Sequence, residues 1–280
     1  MSIIQRLSLV FIGISILIYS GCQQPEPQVE VAAPALEEGF VPIFNGENYD
    51  GWYIKLRDGD EAMGKQVFAI SDGMIHVFND TFPDEYELNQ EANKTHGMIY
   101  TQKKYSHYIL RFDYKWGKRI ANNFGAWQYD AGLYYHIQDD KIWPVGLEYQ
   151  IRYHHLENKN HTGDLIRGGV GCDWYSNDDG SLYLHPKDGG KISDNDHWML
   201  LAAPTENFHA LDGEWNACEV IVMGNAYAIH KLNGEVINMG VNLGATEGII
   251  GFQSETAEIF YRNIRIKEFD EVVPPEQFLK

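Results

Sequence analysis

Cysteine is scarce in this chain of 280 residues, which has only three, at positions 22, 172 and 218. No two of them show the Cys-x-x-Cys spacing, so the sequence disfavours a dithiol redox motif and a zinc cluster. Cys172 and Cys218 could pair in an oxidising compartment. We favour two separate buried thiols, because unpaired cysteine is among the most buried residue types.

Basic residues are also in short supply, with 22 Lys and Arg against 40 Asp and Glu. The formal net charge is therefore -18 at pH 7. A chain this acidic repels nucleic acid and anionic lipid surfaces. We expect no nucleic-acid partner, and we expect small partners that are neutral, cationic or metal ions.

Long apolar runs are absent except for Leu7 to Ile18, which is too short to span a bilayer as a helix. The run follows Arg6 and ends in Tyr-Ser-Gly-Cys, a pattern typical of a lipoprotein signal peptide. We predict a signal peptide at residues 1–21, lipidation of Cys22, and a flexible tether at residues 22–38. The predicted location is the bacterial cell envelope, where the lipid is the only membrane contact. An uncleaved membrane anchor is the alternative.

Sustained helical periodicity is missing too, whereas aromatic residues and glycine are plentiful, with 17 Tyr, 13 Phe, 7 Trp and 27 Gly. This composition favours many short strands joined by tight turns. Residues 39–270 are long enough for one all-β sandwich with a substantial core. Residues 271–280 form a C-terminal tail, and the best helical signal is a turn or two in its VPPEQFLK segment.

Two neighbouring segments alternate apolar and polar residues as strands do. The segment Leu147 to Arg152 places Glu148 and Gln150 on its polar face, and Gly132 to Gln138 places Tyr134 and His136 on its own. Two adjacent strands of this kind predict a cleft lined by an acid, an amide, a phenol and an imidazole. An ordinary solvated sheet face would show the same pattern.

Four residues outside these segments are further candidates for substrate binding. Lys115 lies in a third alternating segment, Leu110 to Trp116, and could hold an oxyanion or pair with a carboxylate. Trp143, in DKIWP, could stack on a pyranose ring. Gln253 and Glu255, in GFQSE, could approach the same cleft.

Several motifs occur in an order that points to a known family. They are GFVPIFNGENYDGW, YSHYILRFDYKW, DKIWPVGLEYQI with the later TGD, GEWNACEVIVMGNAYAIHKLNG and GIIGFQSETAEIFYRNIRIKEF. With these motifs the chain resembles the 3-keto-disaccharide hydrolase domain family over essentially the whole mature domain. Glu148 and Gln150 match the family's E-x-Q-I strand, and Asp164 in TGD matches a recurrent Gly-Asp.

The resemblance implies an all-β, concanavalin-like jelly-roll sandwich of two antiparallel sheets, often lipid-anchored or secreted. It also implies an enzyme that cleaves 3-ketoglycosides. Such sugars must first be oxidised at C3, so the expected partners are the oxidised glycoside and a separate C3 oxidoreductase.

Ordinary glycosidase chemistry is disfavoured at the central strand. It needs two carboxylates flanking the scissile bond, and glycanases on this sandwich place them on one strand as E-x-D-x-x-E. Here the register reads Glu148, Gln150 and then Arg152 or Tyr153, so the second carboxylate is missing.

A 3-keto sugar offers another route, because its ketone acidifies the proton on C2. A base can remove that proton to give an enolate, which then expels the C1 substituent. The candidate catalytic residues are Glu148, His136 and Asp164, with Glu148 as a base or a metal ligand. The same three are candidate ligands of a divalent metal ion that would stabilise the enediolate.

The predicted substrate-binding residues are Gln150, Tyr134, Lys115, Trp143, Gln253 and Glu255. The alternative function is a non-catalytic sugar-binding module tethered to the envelope, since jelly rolls serve both roles.

Overall fold

The computed structural model describes residues 37–58, 60–82, 95–122, 125–193 and 195–280. The predicted signal peptide, Cys22 and almost all of the predicted tether lie outside the described residues. Over the ranges that are described, no helix is long and apolar enough to cross a membrane.

Strands dominate the described chain, and its helices are few and short. The strands are β1 (Val41–Pro42), β2 (Trp52–Leu56), β3 (Phe68–Ser71), β4 (Met74–Val77), β5 (Gly97–Thr101), β6 (His107–Ile120), β7 (Tyr129–Ile137), β8 (Gly146–His154), β9 (Lys159–Asn160), β10 (Leu165–Gly168), β11 (Asp173–Ser176), β12 (Lys191–Ser193), β13 (Met199–Leu200), β14 (Asn216–Met223), β15 (Tyr227–Leu232), β16 (Glu235–Val241), β17 (Ile249–Ser254) and β18 (Ala257–Glu268). The helical elements are α1 (Glu61–Val67) and the 3-10 turns Gly125–Trp127, Pro186–Asp188 and Pro275–Gln277.

The strands form two antiparallel sheets. Sheet A has the order β12-β11-β16-β15-β14-β6-β18-β4-β3, with β1 beside β18. Sheet B has the order β13-β10-β8-β7-β17-β5-β2, with β9 beside β8. Consecutive strands such as β6 and β7 lie in different sheets, so the chain crosses repeatedly between the layers. The predicted all-β jelly-roll sandwich is confirmed.

The hydrophobic core lies between the two sheets. Phe112 of β6 packs edge to face against Tyr149 of β8 and Phe252 of β17, with ring centroids 6.0 and 5.2 Å apart. Aromatic pairs of this geometry contribute about 0.5–1.5 kcal/mol each beyond the area that they bury. Because side chains alternate along a strand, burial of Tyr149 turns Glu148 and Gln150 to the opposite face. We call this side of sheet B, turned away from the core, the open face.

Helix α1 is too short to be predicted from the hydrophobic periodicity of the sequence. It begins at a capping aspartate, since Asp60 Oδ1 accepts a hydrogen bond of 2.8 Å from the backbone N–H of Met63. Gly64 and Val67 are its buried residues.

The C-terminal segment packs on the sandwich. The Pro275–Gln277 turn confirms the helical turn predicted there. Leu279 is buried in the core, and its carbonyl oxygen accepts a hydrogen bond of 3.0 Å from Lys187 Nζ. Tyr227 also donates a hydrogen bond to the carbonyl of Val273.

The two cysteines in the described chain, Cys172 and Cys218, are separate buried thiols, as predicted. Burial raises the pKa of the Cys172 thiol to about 12. The nucleophilic form of cysteine is the thiolate, so this thiol is unreactive at neutral pH.

Candidate active site

Strands β7 and β8 bring an unusual set of polar side chains together on the open face. Their antiparallel register pairs Asp130 with Arg152, Gly132 with Gln150, and Tyr134 with Glu148. Paired residues of neighbouring strands point to the same side of a sheet. The predicted grouping of Glu148, Gln150 and Tyr134 is therefore what the structure shows.

Glu148 lies at the centre of this group, with only 4% of its surface exposed. Its carboxyl fills the space left by Gly132, where an added Cβ would lie 2.0 Å from Glu148 Oε1. Burial raises the pKa of Glu148 to about 8, against a hydrogen bond from Tyr134 that lowers it, and the Asp130 charge raises it further. Glu148 is thus mostly protonated at pH 7 and can donate a proton.

Both carboxylate oxygens of Asp130 accept hydrogen bonds from side chains of β8. Its Oδ1 accepts a hydrogen bond of 2.6 Å from Gln150 Nε2, and its Oδ2 accepts one of 2.9 Å from Arg152 Nε. Burial raises the pKa of Asp130 to about 6, while the Arg152 charge opposes the rise. Asp130 is therefore mostly ionised at pH 7 and orients the guanidinium of Arg152.

Strand β17 and the residue after it contribute Gln253 and Glu255 to the same face. Burial, with the charges of Asp130 and Glu148, raises the pKa of Glu255 well above its ordinary value. Gln253 is 3% exposed, and within the described residues its Oε1 has no hydrogen-bond partner. We call Asp130, Glu148 and Glu255 the acid cluster. Strand β8 itself supplies only one of these acids, as its sequence predicts, and Asp130 and Glu255 come from neighbouring parts of sheet B.

Loss of Arg152 is expected to destabilise the protein. Arg152→Met leaves Asp130 buried without its counter-charge, which costs roughly 3–5 kcal/mol. Thermal unfolding at pH 7 measures this loss. The double variant Asp130→Asn with Arg152→Met should recover most of it, because no lone charge remains. Equal losses in the single and double variants would show that the ion pair is not the cause.

Trp127 forms one wall beside the acid cluster. The guanidinium carbon of Arg152 lies 4.8 Å from the centre of its ring, at cation–π distance. The rings of His154 and His161 approach the same indole edge to face, with centroids at 4.8 and 5.2 Å.

The loop between β7 and β8, residues 138–145, lies at the other end of β7 from Trp127. It is fastened by a hydrogen bond of 2.6 Å from the Tyr100 hydroxyl to the Lys141 carbonyl, and by an ion pair of 2.6 Å between Lys55 and Asp140. Trp143 on this loop is 43% exposed, and its ring meets the ring of His96 at 4.9 Å. The guanidinium carbon of Arg57 lies 5.5 Å from the centre of the Trp143 ring, so only the remaining exposed part of the indole is available, and the role of Trp143 in stacking on a sugar stays a prediction.

Residues 39–267 match the family described as 3-keto-alpha-glucoside-1,2-lyase-like domain. This chain belongs to that family. The match confirms the resemblance that the motifs predict, and family membership supports a carbohydrate-active role. No curated protein matches the chain.

Solved structures that are similar to this chain include two from Parabacteroides distasonis ATCC 8503, each described as a candidate glycosyl hydrolase. The first is 21% identical with a TM-score of 0.50, over 83% of this chain and 95% of its own. The second is 18% identical with a TM-score of 0.49, over 82% of this chain and 99% of its own. The beta-glucanase of Bacillus licheniformis is 11% identical with a TM-score of 0.47, over 82% of this chain and 97% of its own. The likeness to the first of these structures concerns the fold alone.

The predicted position of His136 beside Glu148 is wrong, because its side chain does not join the acid cluster. It has a φ of 50°, a left-handed conformation that breaks the side-chain alternation of β7. Its Nε2 lies 2.8 Å from the carbonyl oxygen of Gly224, in the turn between β14 and β15 of sheet A. Burial lowers the pKa of this imidazole.

Asp164 comes close to the predicted site but turns its carboxylate elsewhere. Its backbone carbonyl accepts a hydrogen bond from Gln150 N, yet Oδ1 accepts from Ala202 N at 2.7 Å and Oδ2 lies 3.1 Å from His161 Nδ1. Both carboxylate oxygens are thus engaged within the protein. A direct catalytic or metal-binding role for Asp164 does not fit this geometry.

Lys115 lies on β6 of sheet A, so its predicted contact with the cleft is wrong. Its Nζ lies 4.9 Å from the ring of Trp215, the residue before β14, and 5.0 Å from the ring of Phe260 on β18 of sheet A. Hydrophobic alternation identified its solvent-side face correctly but did not tell which sheet the strand enters.

The predicted metal ligands do not converge, because Glu148, His136 and Asp164 each face a different environment. Over the described ranges, no group of three His, Cys, Asp or Glu side chains is arranged to hold a metal ion. The described residues therefore do not provide a ligand set for the predicted divalent cation. The cation stays a prediction.

Asp130, Trp127 and His161 are site residues that the predicted set lacks. The sequence pattern does indicate Asp130 as a residue of this face, because the alternation of β7 extends back from Gly132 to Tyr129 and puts Asp130 in phase with Tyr134. Trp127 and His161 come from loops, where no periodicity indicates a direction.

Proposed function

We propose that this protein cleaves the glycosidic bond of 3-keto sugars by elimination across C1 and C2. The observation that carries the proposal is the acid cluster of a carbohydrate-active family member. In it Glu148 is buried, has a pKa raised to about 8, and lies on the same face of β8 as Arg152, whose charge acts on it. Burying an acid destabilises a fold unless the acid is neutral, paired or hydrogen-bonded. Acids with strongly shifted pKa values cluster at functional sites.

The reaction begins when a base removes the proton on C2. The electrons of the broken bond between C2 and hydrogen then form an enolate with the C3 oxygen. The enolate then collapses, the C3 carbonyl re-forms, and a double bond forms between C1 and C2. The bond from C1 to the glycosidic oxygen breaks in this step. That oxygen needs a proton from an acid to leave as an alcohol.

Glu148 supplies this proton in our proposal. A carboxyl group with a pKa of about 8 is mostly protonated at pH 7 and is still acidic enough to transfer its proton to a leaving oxygen. The charge of Arg152 favours the anionic enolate in the same water-poor environment. Glu148 acts here as an acid, whereas the sequence alone suggested a base.

Hydrolysis by two carboxylates fits these residues less well. That mechanism needs one ionised and accessible carboxylate beside the acid. Both oxygens of Asp130 accept hydrogen bonds, and Glu255 has a pKa raised well above its ordinary range. The oxygens of Asp130 are therefore engaged, and burial disfavours the ionised form of Glu255.

A substrate comparison tests the proposal. The purified protein is incubated with a 3-keto disaccharide and with its unoxidised parent, and the released sugars are identified. We expect cleavage of the oxidised sugar and little of the parent, because only the ketone acidifies C2. Efficient cleavage of the parent would contradict elimination. Tight binding of sugar without turnover of either compound would favour the alternative, a non-catalytic binding module.

The proposal requires a partner reaction, because a 3-keto sugar is produced by oxidation of a C3 hydroxyl. A separate sugar oxidoreductase must therefore supply the substrate. We also propose that the enzyme works at the cell envelope, anchored by lipid on Cys22, as the Tyr-Ser-Gly-Cys pattern indicates.

Cys22→Ser is expected to release the protein from the membrane fraction, because serine offers no thiol for lipid attachment. Fractionation and incorporation of labelled fatty acid measure the change. The melting temperature should stay that of the wild type, since Cys22 lies outside residues 39–270. Equal lipid incorporation by the variant would refute the lipoprotein assignment.

A further inference from the structure

The side chains of His161 and Asp164 form a pair that has no part in the reaction steps assigned to Glu148 and Arg152. His161 Nδ1 lies 3.1 Å from Asp164 Oδ2, and the other oxygen of Asp164 accepts a hydrogen bond from Ala202 N. The His161 and Asp164 side chains are only 12% and 3% exposed. A carboxylate fixed in this way holds the histidine ring in one orientation.

The backbone around this pair is built to hold it against β8. His161 N donates a hydrogen bond of 2.9 Å to the Arg152 carbonyl, and Gly163 N donates one of 2.8 Å to the Gln150 carbonyl. Gly163 has a φ of 97°, and an added Cβ would lie 1.9 Å from Ile237. Glycine is therefore required at this position, where the chain turns to present both side chains.

The His161 ring lies on the Asp130 side of the acid cluster. It packs against Trp127 at 5.2 Å and lies close enough to Asp130 for its positive form to lower the pKa of that carboxyl. Arg152 and His154 of β8 contact the same Trp127 ring, and the cavity that His161 and Asp164 line also contains Lys159 and Glu206.

The hydrogen bond to Asp164 decides the tautomer of His161. A carboxylate only accepts hydrogen bonds, so Nδ1 carries the proton in the neutral ring and Nε2 keeps its lone pair. Within the described residues Nε2 has no protein hydrogen bond. A neutral imidazole with a free Nε2 is a general base.

We propose that His161 is the catalytic base that removes the C2 proton and that Asp164 is a positioning residue that fixes its tautomer. This inference rests on the proposed function and supplies the group that the reaction lacks. The C2 proton moves to His161 Nε2, and the leaving oxygen takes the proton of Glu148. Exchange with solvent then returns His161 to its neutral form and Glu148 to its protonated form.

The test compares four proteins on a 3-keto disaccharide over a range of pH. His161→Gln should lower kcat/KM by roughly 100-fold or more, the usual contribution of a positioned base. Asp164→Asn should lower it by at least roughly 10-fold, because an amide can donate to Nδ1 and favour the wrong tautomer. The control is His209→Gln, because His209 and Asp212 form a pair of the same i,i+3 spacing, 2.9 Å apart, on an exposed loop. This variant should match the wild type.

Two further readouts separate catalysis from a structural effect. The fall of kcat/KM on the acid side, which protonation of a catalytic imidazole causes, should disappear in His161→Gln and move in Asp164→Asn. Nitrogen NMR of the His161 ring should show the proton on Nδ1 in the wild type and on Nε2 in Asp164→Asn.

The failures are distinguishable. A wild type that cleaves the 3-keto sugar and a His161→Gln variant that cleaves it at the same rate would overturn only the assignment of His161. The same assignment fails if the His161 ring carries its proton on Nε2 in the wild type. A wild type that cleaves no 3-keto sugar would overturn the proposed function and this inference with it.

Discussion

Glu148→Gln is expected to lower turnover of a 3-ketoglycoside by roughly 100- to 10,000-fold, the usual contribution of a positioned acid or base. Glutamine keeps the size of the side chain and its hydrogen bond with Tyr134, but it has no proton to transfer to the leaving oxygen. The loss should appear in kcat as well as in kcat/KM, because the missing proton is needed only as the bond breaks.

Glu276→Gln makes the same chemical change at an exposed position of the C-terminal turn and serves as the control. It should retain the wild-type rate. A leaving group that is already acidic, such as a nitrophenol, needs less help from an acid, so the Glu148→Gln defect should shrink on such a substrate. An equal defect on both substrates would contradict the role of Glu148 as the acid.

The same Glu148→Gln substitution is expected to stabilise the fold at neutral and alkaline pH. Glu148 has a pKa of about 8 in the folded protein and an ordinary value near 4.5 when unfolded. Between these values the unfolded state is ionised and the folded state is protonated, so the wild type loses stability as pH rises from 4.5 to 8. The loss reaches roughly 3 kcal/mol at pH 7.

Glutamine does not ionise, so the variant escapes this loss. The melting temperature of Glu148→Gln should exceed that of the wild type by roughly 6–12 °C at pH 7, given about 2–4 °C per kcal/mol for a domain of this size. The difference should vanish near pH 4, where both states of the wild type are protonated. A variant that melts below the wild type at pH 8 would contradict the raised pKa. Stability gained with activity lost is the expected signature of a catalytic group.

Local patterns in the sequence are sufficient to predict the fold and the centre of the site. Alternation from Leu147 to Arg152 correctly puts Glu148 and Gln150 on one face, because that period follows directly from strand geometry. The same argument works for Tyr134. Motif order adds the family and the jelly roll, which composition alone does not distinguish from other sandwiches.

Properties that depend on a single backbone angle or on distant strand pairing escape such patterns. His136 leaves the cleft because its φ is positive, a conformation that is uncommon for histidine and carries no sequence signal here. Lys115 alternates correctly but on a strand of the other sheet. Asp130, by contrast with the predicted Glu255, is missing from the predicted site, and the two acids come together only through the pairing of β17 with β7, more than one hundred residues apart in sequence.

Asp164 illustrates a third limit. Its residue type and its Gly-Asp motif mark it as functional, but the motif does not say which group the carboxylate serves. In the fold both of its oxygens are used, and one of them orients His161. The sequence therefore singled out this segment, whereas only the structure shows that the carboxylate is used to orient His161.

Elimination through C2 is the central claim, and the fate of an isotope at C2 tests it most directly. A 3-keto disaccharide deuterated at C2 is cleaved in ordinary water, with a sample without enzyme as the control for spontaneous exchange. We predict that the sugar released by the enzyme has lost the deuterium, because the bond from C2 to hydrogen must break before the glycosidic bond does. A product that keeps its C2 deuterium would show direct hydrolysis at C1 and contradict the account.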